Sequence, residues 1–326
     1  MTDRILVTRR PPGRALDVLG GRGTVDLWEP DQIIPRTELL GRVREADALY
    51  CMLTERVDRE LLAVAPRLRV VSNMGVGVDN IDIAACTELG IPVGHTPGVL
   101  TQATADLAFA LLLAAARRVG EGIRHVSEGQ WGEWRPDLLL GQDVHASIIG
   151  IVGMGRIGSA VARRAAGFGA SIIYAGPTAK PEIEAELGAE RQDLSVLLAK
   201  ADHVVIAAPL RVDTYHLIDA ASFRLMKPTA TLVNVARGPL VDTAALLAAL
   251  ESGAIAAAGL DVTDPEPIPV DHPLVQLPNC VIVPHIGSAS SKTRDDMADL
   301  AALNVVRALS GQPLQACANP EVYASS

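Results

Sequence analysis

The chain has 326 residues, more than one hydrophobic core usually organises, so its length predicts two domains. Hydrophobic residues account for 49% of the chain and charged residues for 21%, a balance typical of globular proteins. With 38 acidic and 29 basic residues the formal net charge is -9, which argues against a nucleic-acid partner because such binding depends on Lys and Arg neutralising phosphates.

The N-terminal segment and the cysteines together favour a cytoplasmic protein. The segment MTDRILVTRRPPG is charged and turns early, unlike a signal peptide. The cysteines are scattered without a CxxC pair, a spacing that favours neither a metal site nor a disulfide framework: Cys51, Cys86, Cys280 and Cys317. We therefore expect no metal and a reducing compartment.

Short β-branched runs alternate with helical patterns along the whole chain. The first series consists of RILVT, TVDLW, ADALYCM, LRVVSN and IPVGHT. A second series follows a Leu/Ala-rich helix and consists of SIIGIV, SIIYA, HVVIAAP, TLVNVA, AAAGLDV and CVIVPHIG. This alternation is typical of βαβ units, so the sequence predicts an α/β chain with two Rossmann-like or flavodoxin-like domains, each built on a parallel sheet.

Several helices are predicted between and after these strands. The Leu/Ala-rich stretch ADLAFALLLAAARRV, beginning at Ala105, is bounded by charges and too short for a membrane span of roughly 20 residues, so we expect a buried or interface helix and no membrane partner. Later helices are predicted in GRIGSAVARRAAGFG, DLSVLLAKA and TAALLAALESG, the last ending at Gly253. A final helix, SSKTRDDMADLAALNVVRALSG, is predicted to stop at Gly311.

A glycine-rich loop, GMGRIG, directly follows the run SIIGIV. Gly153, Gly155 and Gly158 have the GxGxxG spacing, which allows a tight turn, close approach of the backbone to a pyrophosphate, and close packing of helix on strand. The N-terminus of the following helix would supply free N–H groups to that pyrophosphate. Because a strand precedes the loop and a helix and second strand follow, we predict a dinucleotide-binding site.

Gly176, at the end of the run SIIYA, stands where many dinucleotide-binding domains carry an acid that reads the ribose 2′-hydroxyl. Loss of that acid removes the repulsion of a 2′-phosphate. Thr178 and Lys180 follow and could donate to such a phosphate, although Lys180 could equally be a solvated turn residue. The sequence therefore predicts that NADP(H) is preferred and that NAD(H) is possible.

Polar residues follow the last three apolar runs, where the carboxyl ends of parallel strands bind ligands. Arg237 follows TLVNVA, Asp261 and then Glu266 follow AAAGL, and His285 follows VIVP. Arg237 can hold a carboxylate, His285 can exchange a proton and Glu266 can stabilise the imidazolium form of the histidine. With a nicotinamide cofactor this set implies reversible reduction of a small 2-oxo acid. Asp261 is expected to orient the nicotinamide ribose or carboxamide, or else to cap a turn.

The motifs VSNMGVGVDNID, GMGRIG, NVARGPLVD, AGLDVTDPEP and PHIGS resemble, in order and spacing, the D-isomer-specific 2-hydroxyacid dehydrogenases. The resemblance covers nearly the whole chain. The stretch AAAGLDVTDPEPIPVDHPL and the acid-free turn YAGPT most resemble glyoxylate/hydroxypyruvate reductases. One departure is Pro177, because relatives that prefer NADP often have an arginine after the turn glycine.

The resemblance implies specific roles for individual residues. Arg237, Glu266 and His285 would be the catalytic residues. The implied substrate-binding residues are Leu53, Val76, Gly77, Arg237 and Trp134. The implied cofactor-binding residues are Thr104, Gly153, Met154, Gly155, Arg156, Ile157, Gly158, Gly176, Pro177, Thr178, Lys180, Ala208, Pro209, Thr214, Val235, Ala236, Asp261, His285 and Gly287.

The resemblance also implies a domain arrangement and an oligomer. Residues 1–99 with 291–326 would form a substrate-binding domain, residues 100–290 a dinucleotide-binding Rossmann domain, and the active site would lie in the cleft between them. A homodimer is expected through the cofactor domains, which would give the helix from Ala105 a partner. Trp131 and Trp134 could then reach the neighbouring subunit's site, although Trp131 could equally pack in its own core.

Two other functions stay open at this stage. One is another D-2-hydroxyacid dehydrogenase activity, such as 2-ketogluconate reduction. The other is a non-catalytic, dinucleotide-sensing binding protein, which the complete set of Arg, Glu and His residues makes less favoured.

Overall fold

A computed structural model of the chain describes residues 2–324. These residues divide into two compact units. Unit 1 contains the residues up to Leu100 together with those from Ala289 onward, and unit 2 is Thr101–Ser288. The sequence predicts these divisions between residues 99 and 100 and between 290 and 291, within two residues of those observed, and the roles of the two domains stay predictions.

Unit 1 is built on a five-stranded parallel sheet in the order β2-β1-β3-β4-β5. The long helix at the end of the chain returns to this sheet, since the hydroxyls of Tyr50 and Ser72 donate to the carbonyls of Ala298 and Ala301 on it, at 3.3 and 2.8 Å. The elements of unit 1 are β1 (Arg4–Val7), α1 (Ala15–Gly20), β2 (Thr24–Leu27), α2 (Arg36–Val43), β3 (Ala48–Cys51), α3 (Arg59–Ala63), β4 (Val70–Asn73), α4 (Ile83–Glu88), β5 (Val93–Gly94) and α13 (Ser291–Leu309).

Unit 2 is built on a seven-stranded parallel sheet in the order β12-β11-β10-β9-β6-β7-β8. Its central strands are buried along their length, which explains their uniformly apolar sequences. The elements are α5 (Thr101–Ala116), α6 (Val119–Ser127), β6 (Ile148–Val152), α7 (Arg156–Gly167), β7 (Ser171–Ala175), α8 (Pro181–Leu187), β8 (Glu190–Arg191), α9 (Leu194–Lys200), β9 (His203–Ile206), α10 (Ala220–Leu225), β10 (Thr231–Asn234), α11 (Thr243–Glu251), β11 (Ala257–Leu260), α12 (Pro273–Gln276) and β12 (Cys280–Ile282).

The predicted fold class is confirmed, with two parallel sheets flanked by helices. The predicted helix stops are confirmed as well, because α11 and α13 end just before Gly253 and Gly311, which have positive φ values of 71° and 72°. Among the elements that were not predicted, strand β8 is only two polar residues long and carries no apolar pattern. Helix α6 has no buried residue, because its apolar side chains Val119, Ile123 and Val126 are exposed.

The apolar helix predicted from Ala105 is α5, and it is largely a core helix of unit 2. Leu111 packs so closely on β11 that a Cβ added to Gly259 would lie 3.0 Å from the Leu111 Cβ. The sequence leaves open whether this helix is buried or lies at an interface, and the structure shows that most of it is buried in unit 2. Within residues 2–324 no helix is both long and apolar enough to cross a membrane.

Candidate active site

The candidate site is built at the carboxyl ends of β10, β11 and β12, which are neighbours in the sheet of unit 2. The chain leaves β10 toward Arg237, β11 toward Asp261 and Glu266, and β12 toward His285. Parallel strands end at the same edge of a sheet, so three separate segments deliver these side chains to one region.

His285 and Glu266 are brought into direct contact, with His285 Nδ1 2.6 Å from Glu266 Oε1. The two side chains are 30% and 40% exposed, so the pair is accessible from solvent. Burial raises the pKa of Glu266, but the hydrogen bond with His285 and the charges of His285 and Arg237 outweigh that effect, so the pKa lies below its ordinary value. Glu266 is therefore an ionised partner that fixes Nδ1 and leaves Nε2 of the imidazole for chemistry.

The turn that carries His285 is held by Asp261. Both carboxylate oxygens accept amide hydrogen bonds, one from Ile286 at 2.6 Å and one from Gly287 at 2.9 Å. His285 itself has a positive φ of 51°, a left-handed backbone conformation that is uncommon for residues other than glycine. Burial raises the pKa of Asp261, and the two amide hydrogen bonds and the nearby His285 only partly offset this. Of the two roles expected for Asp261, the structure shows the turn cap.

Arg237 follows a turn held by Asn234, a buried residue that is not among the predicted site residues. Asn234 Oδ1 accepts from the Ala236 amide at 3.0 Å, and its Nδ2 donates to the Arg237 carbonyl at 2.8 Å. Arg237 also lies close enough to Glu266 for its charge to lower the pKa of that carboxyl. The sequence feature that could have identified Asn234 is its position as a polar residue at the end of a buried strand.

Gly238 explains how the Arg237 turn and the Glu266 loop come together. A Cβ at this position would lie 1.9 Å from the Thr263 carbonyl oxygen, so only glycine permits the observed approach. Thr243 adds a second link by donating its hydroxyl to the Asp264 carbonyl at 2.8 Å. The close packing of these two loops places Arg237 and Glu266 in one site.

The GMGRIG loop has the geometry expected of a dinucleotide site. Gly153 has a φ of 97°, and a Cβ there would lie 2.6 Å from the Ala208 amide nitrogen, whereas a Cβ on Gly158 would lie 2.1 Å from the Gly153 carbonyl oxygen. Nothing lies within 4 Å of a Cβ on Gly155. No side chain caps α7, and the amides of Arg156 and Ile157 donate to no acceptor within residues 2–324. Open space beside unpaired helix N-terminal amides fits a bound pyrophosphate.

The remaining residues predicted to contact the cofactor differ in their exposure and in their hydrogen bonds. Thr104 on α5 lies against Gly287, with its γ-methyl 3.4 Å from the position of an added Cβ. The Thr214 hydroxyl is engaged within its own loop, donating to the Pro209 carbonyl at 2.8 Å. Pro209 is exposed and Ala236 half-buried at the strand ends, whereas three other predicted contacts are mostly inside the core of unit 2: Met154, Ala208 and Val235.

The turn after β7 contains Gly176, Pro177, Thr178 and Lys180. Nothing lies within 4 Å of a Cβ on Gly176, and Pro177 and Thr178 are exposed. The Lys180 amide donates to the Tyr174 hydroxyl at 2.8 Å. Gly176 itself carries no carboxylate in place of the missing acid. The Glu184 carboxylate accepts a hydrogen bond from the Tyr174 hydroxyl.

Unit 1 contains the loop that is predicted to bind the substrate carboxylate. The carbonyl of Val76 contacts His95 Nδ1 at 3.1 Å and that of Gly77 accepts from Asn73 Nδ2 at 2.8 Å. The amides of Val76 and Gly77 donate to no acceptor within the described chain. Leu53 packs on the start of this loop, since a Cβ on Gly75 would lie 2.4 Å from Leu53 Cδ2.

Trp131 and Trp134 are exposed by 65% and 82% in the chain. Packing of Trp131 in the core of its own subunit, one of two alternatives from the sequence, is therefore wrong. Both indoles belong to the segment QWGEWRP, which contains no helix or strand. Such a segment has no periodic apolar pattern, so the sequence could not show whether its side chains are buried.

Comparison with known proteins identifies the family. The family model for the D-isomer specific 2-hydroxyacid dehydrogenase, NAD binding domain, matches residues 109–287. Glyoxylate reductases of Thermococcus onnurineus and Pyrococcus horikoshii are each 48% identical over 326 residues, covering 99% of this chain and 97% of theirs.

Solved structures agree with this assignment. A Thermus thermophilus protein superimposes with a TM-score of 0.91 at 47% identity, over 97% of this chain and 99% of that one. The NADPH-dependent glyoxylate/hydroxypyruvate reductase of Sinorhizobium meliloti, solved with NADP and malonate, gives a TM-score of 0.86 at 31% identity over 98% of both chains. Full-length similarity, the fold and the arrangement of the strand-end residues lead to one conclusion: this chain belongs to the D-isomer specific 2-hydroxyacid dehydrogenase family.

Proposed function

We propose that the protein is an NADPH-preferring reductase of glyoxylate and hydroxypyruvate. The observation that carries this proposal is the 2.6 Å contact between His285 and Glu266, at the same strand ends as Arg237 and in the same unit as the glycine loop. The curated relatives that are 48% identical are glyoxylate reductases, which supports glyoxylate as a substrate.

His285 is the proton donor of the proposed reduction. A bound nicotinamide dinucleotide supplies the hydride to the carbonyl carbon of the 2-oxo acid. His285 Nε2 gives its proton to the carbonyl oxygen, which becomes the hydroxyl of the product. Glu266 keeps Nδ1 protonated and the ring oriented, so its carboxylate stabilises the imidazolium that exists before proton transfer. In the oxidative direction neutral His285 accepts the same proton.

Arg237 binds the carboxylate that every 2-oxo acid carries. A guanidinium can donate two parallel hydrogen bonds to a carboxylate, which fixes the orientation of the neighbouring carbonyl. In unit 1 the unpaired amides of Val76 and Gly77 offer two further donors suited to a carboxylate, and Leu53 beside them offers an apolar contact. Trp134 is kept as a proposed substrate-binding residue whose role requires the second subunit.

Preference for NADP(H) rests on the turn after β7. The turn has no acid at Gly176 to repel a 2′-phosphate, and Thr178 and Lys180 lie in the same turn. The 31% identical Sinorhizobium enzyme is NADPH-dependent, which supports the same preference here. NAD(H) remains a second cofactor because Pro177 stands where many NADP-preferring relatives have an arginine.

A homodimer through unit 2 completes the proposal. Exposed apolar side chains lie on α6 and on the segment after it, with exposed fractions from 46% to 82%: Val119, Ile123, Val126, Trp131, Trp134 and Leu140. This surface, rather than α5, is the apolar area that a second copy would cover. Ile123→Asp should yield a monomer in sedimentation velocity, whereas Leu89→Asp, at a residue of unit 1 that is 58% exposed, should leave the dimer intact. A variant with Ile123→Asp that remains dimeric would exclude this surface.

The cysteines fit a cytoplasmic location, because all of them are free thiols and two are buried.

A rate matrix tests the proposed function, with NADPH and NADH each measured against glyoxylate, hydroxypyruvate, pyruvate and 2-ketogluconate. The proposal expects the highest kcat/KM for NADPH with glyoxylate or hydroxypyruvate. A higher value for 2-ketogluconate would reassign the substrate, and no turnover with any of the four would reject reductase activity on this class.

A further inference from the structure

Arg191 lies beside the turn that replaces the ribose-reading acid. It belongs to the edge strand β8 and pairs in register with Tyr174 of β7. Its Nε and Nη2 donate to the Gly176 carbonyl at 3.0 and 2.9 Å, and Nη2 also donates to the Pro177 carbonyl at 3.0 Å. The guanidinium is therefore fixed against the two residues at which NAD- and NADP-binding domains differ most.

The guanidinium retains binding capacity after these contacts. Arginine has five N–H donors, and those of Nη1 have no acceptor within residues 2–324. Arg191 is exposed and forms no ion pair within the same residues. Arg163 on α7 differs, since it is bound through two nitrogens to the Glu186 carboxylate, each at 2.7 Å.

The surroundings of Arg191 favour an anion. The Glu184 carboxylate accepts a hydrogen bond from the Tyr174 hydroxyl, and within residues 2–324 it forms no ion pair with Arg191, whose contacts go to backbone carbonyls. Glu190 precedes Arg191 on β8, and successive residues of a strand point to opposite faces of the sheet, so the Glu190 carboxylate lies on the other face. Lys180 lies at the other end of the turn and adds a second positive charge.

We propose that Arg191 is a specificity-determining residue that binds the 2′-phosphate of NADP(H). The proposal rests on the NADP preference proposed above and names the residue that produces it. A guanidinium held by two backbone carbonyls is already oriented, so little rotamer entropy is lost when Nη1 donates to a phosphate. Thr178 and Lys180 supply further donors to the same group. Where NAD-binding domains have an acidic side chain, this chain therefore has open space at Gly176, beside an arginine that is held in place.

Calorimetric titration of the wild-type protein with 2′,5′-ADP and with 5′-AMP tests the proposal without any turnover. These two probes differ only in the 2′-phosphate. Wild type should bind 2′,5′-ADP more tightly. Arg191→Gln should weaken 2′,5′-ADP by about 10- to 100-fold, as expected for lost charge-assisted hydrogen bonds, and should change 5′-AMP by less than about twofold. Arg191→Lys should retain part of the preference because it keeps the charge.

Arg163→Gln is the matched control, since it removes an exposed arginine of the same unit whose guanidinium is already paired, and it should alter neither titration. Equal loss of both probes in Arg191→Gln would mean that Arg191 only supports the turn, and would overturn the proposal. An unchanged preference for 2′,5′-ADP in that variant would also overturn it while leaving NADP preference intact. Wild type that does not distinguish the probes would reject NADP preference itself, whereas absence of glyoxylate turnover with the expected titrations would reject only the substrate.

Discussion

His285 Nδ1 lies 2.6 Å from Glu266 Oε1, although the two residues are separated by 19 positions and leave different strands. The Asp261 carboxylate fixes the turn of the histidine, and the Gly238 contact with Thr263 fixes the loop of the glutamate. The geometry of the pair is therefore set by backbone contacts on both sides. This arrangement orients Nε2 before substrate arrives, which is the preorganisation that proton transfer requires.

Glu266→Gln should lower kcat/KM for glyoxylate by about 10- to 100-fold near neutral pH, because the amide lacks the negative charge that faces His285 Nδ1. The pKa of Glu266 lies below its ordinary 4.5, which keeps the carboxylate ionised across neutral and mildly acidic pH in the wild type. The measurement is kcat/KM for glyoxylate against pH.

The opposite direction provides the internal control for this variant. Oxidation of the hydroxy acid uses the same contact between His285 and Glu266, so its rate should also fall in this variant. Superimposable profiles for the wild type and Glu266→Gln in both directions would mean that the carboxylate does not influence the proton carried by His285.

Arg237→Lys should lower kcat/KM for glyoxylate by about 10- to 100-fold, because an ammonium group keeps the charge but cannot bind a carboxylate through two parallel donors. The affinity for NADPH, measured by fluorescence titration, should change by less than about twofold. Arg224→Lys alters an exposed arginine of α10 and serves as the control. A wild-type kcat/KM in Arg237→Lys would exclude the carboxylate clamp.

Gly238→Ala should destabilise unit 2 and reduce activity together. The new Cβ would lie 1.9 Å from the Thr263 carbonyl oxygen, so the Arg237 turn and the Glu266 loop must move apart. Overpacking of this kind costs about 1–3 kcal/mol, which should lower Tm by several degrees. Gly167→Ala in α7 meets nothing within 4 Å and should leave Tm unchanged or raise it slightly. Equal Tm values for the two variants would contradict the close approach.

Gly176→Asp should shift the ratio of kcat/KM values toward NADH. Nothing lies within 4 Å of a Cβ at this position, so the carboxylate can be accommodated without strain. It would accept from the ribose 2′-hydroxyl of NADH and repel the 2′-phosphate of NADPH. Gly176→Asn has the same shape without the charge and should move the ratio much less. An unaltered ratio in Gly176→Asp would mean that this turn does not contact the ribose.

The strands, the glycine loop and the strand-end residues could be predicted because each has a local signal. Buried parallel strands are uniformly apolar, GxGxxG marks a turn with a close backbone approach, and polar residues after such strands indicate a ligand edge. These signals do not depend on distant partners. From the sequence, His285 and Glu266 could be inferred only to lie near each other, because the distance between their side chains depends on how two loops pack.

The features that the sequence did not reveal depend on contacts between segments. Arg191 stands on a two-residue polar strand without periodicity, so neither the strand nor the contact with Gly176 has a local signature. Asn234 and Asp261 resemble ordinary polar residues until their turns are seen. Met154 and Ala208, two of the predicted cofactor contacts, are buried in the core of unit 2, and their contact with the cofactor stays a prediction.

The most direct test of the central claim is a single-turnover measurement of NADPH oxidation by glyoxylate in the wild type and in His285→Ala, with both enzymes first saturated with NADPH. The account predicts rapid oxidation by the wild type, a rate about 10²–10⁴-fold lower in His285→Ala, and nearly equal NADPH affinity in both. His145→Ala, at an exposed histidine of unit 2, should behave as the wild type. A near-normal rate in His285→Ala would contradict the assignment of His285 as the proton donor.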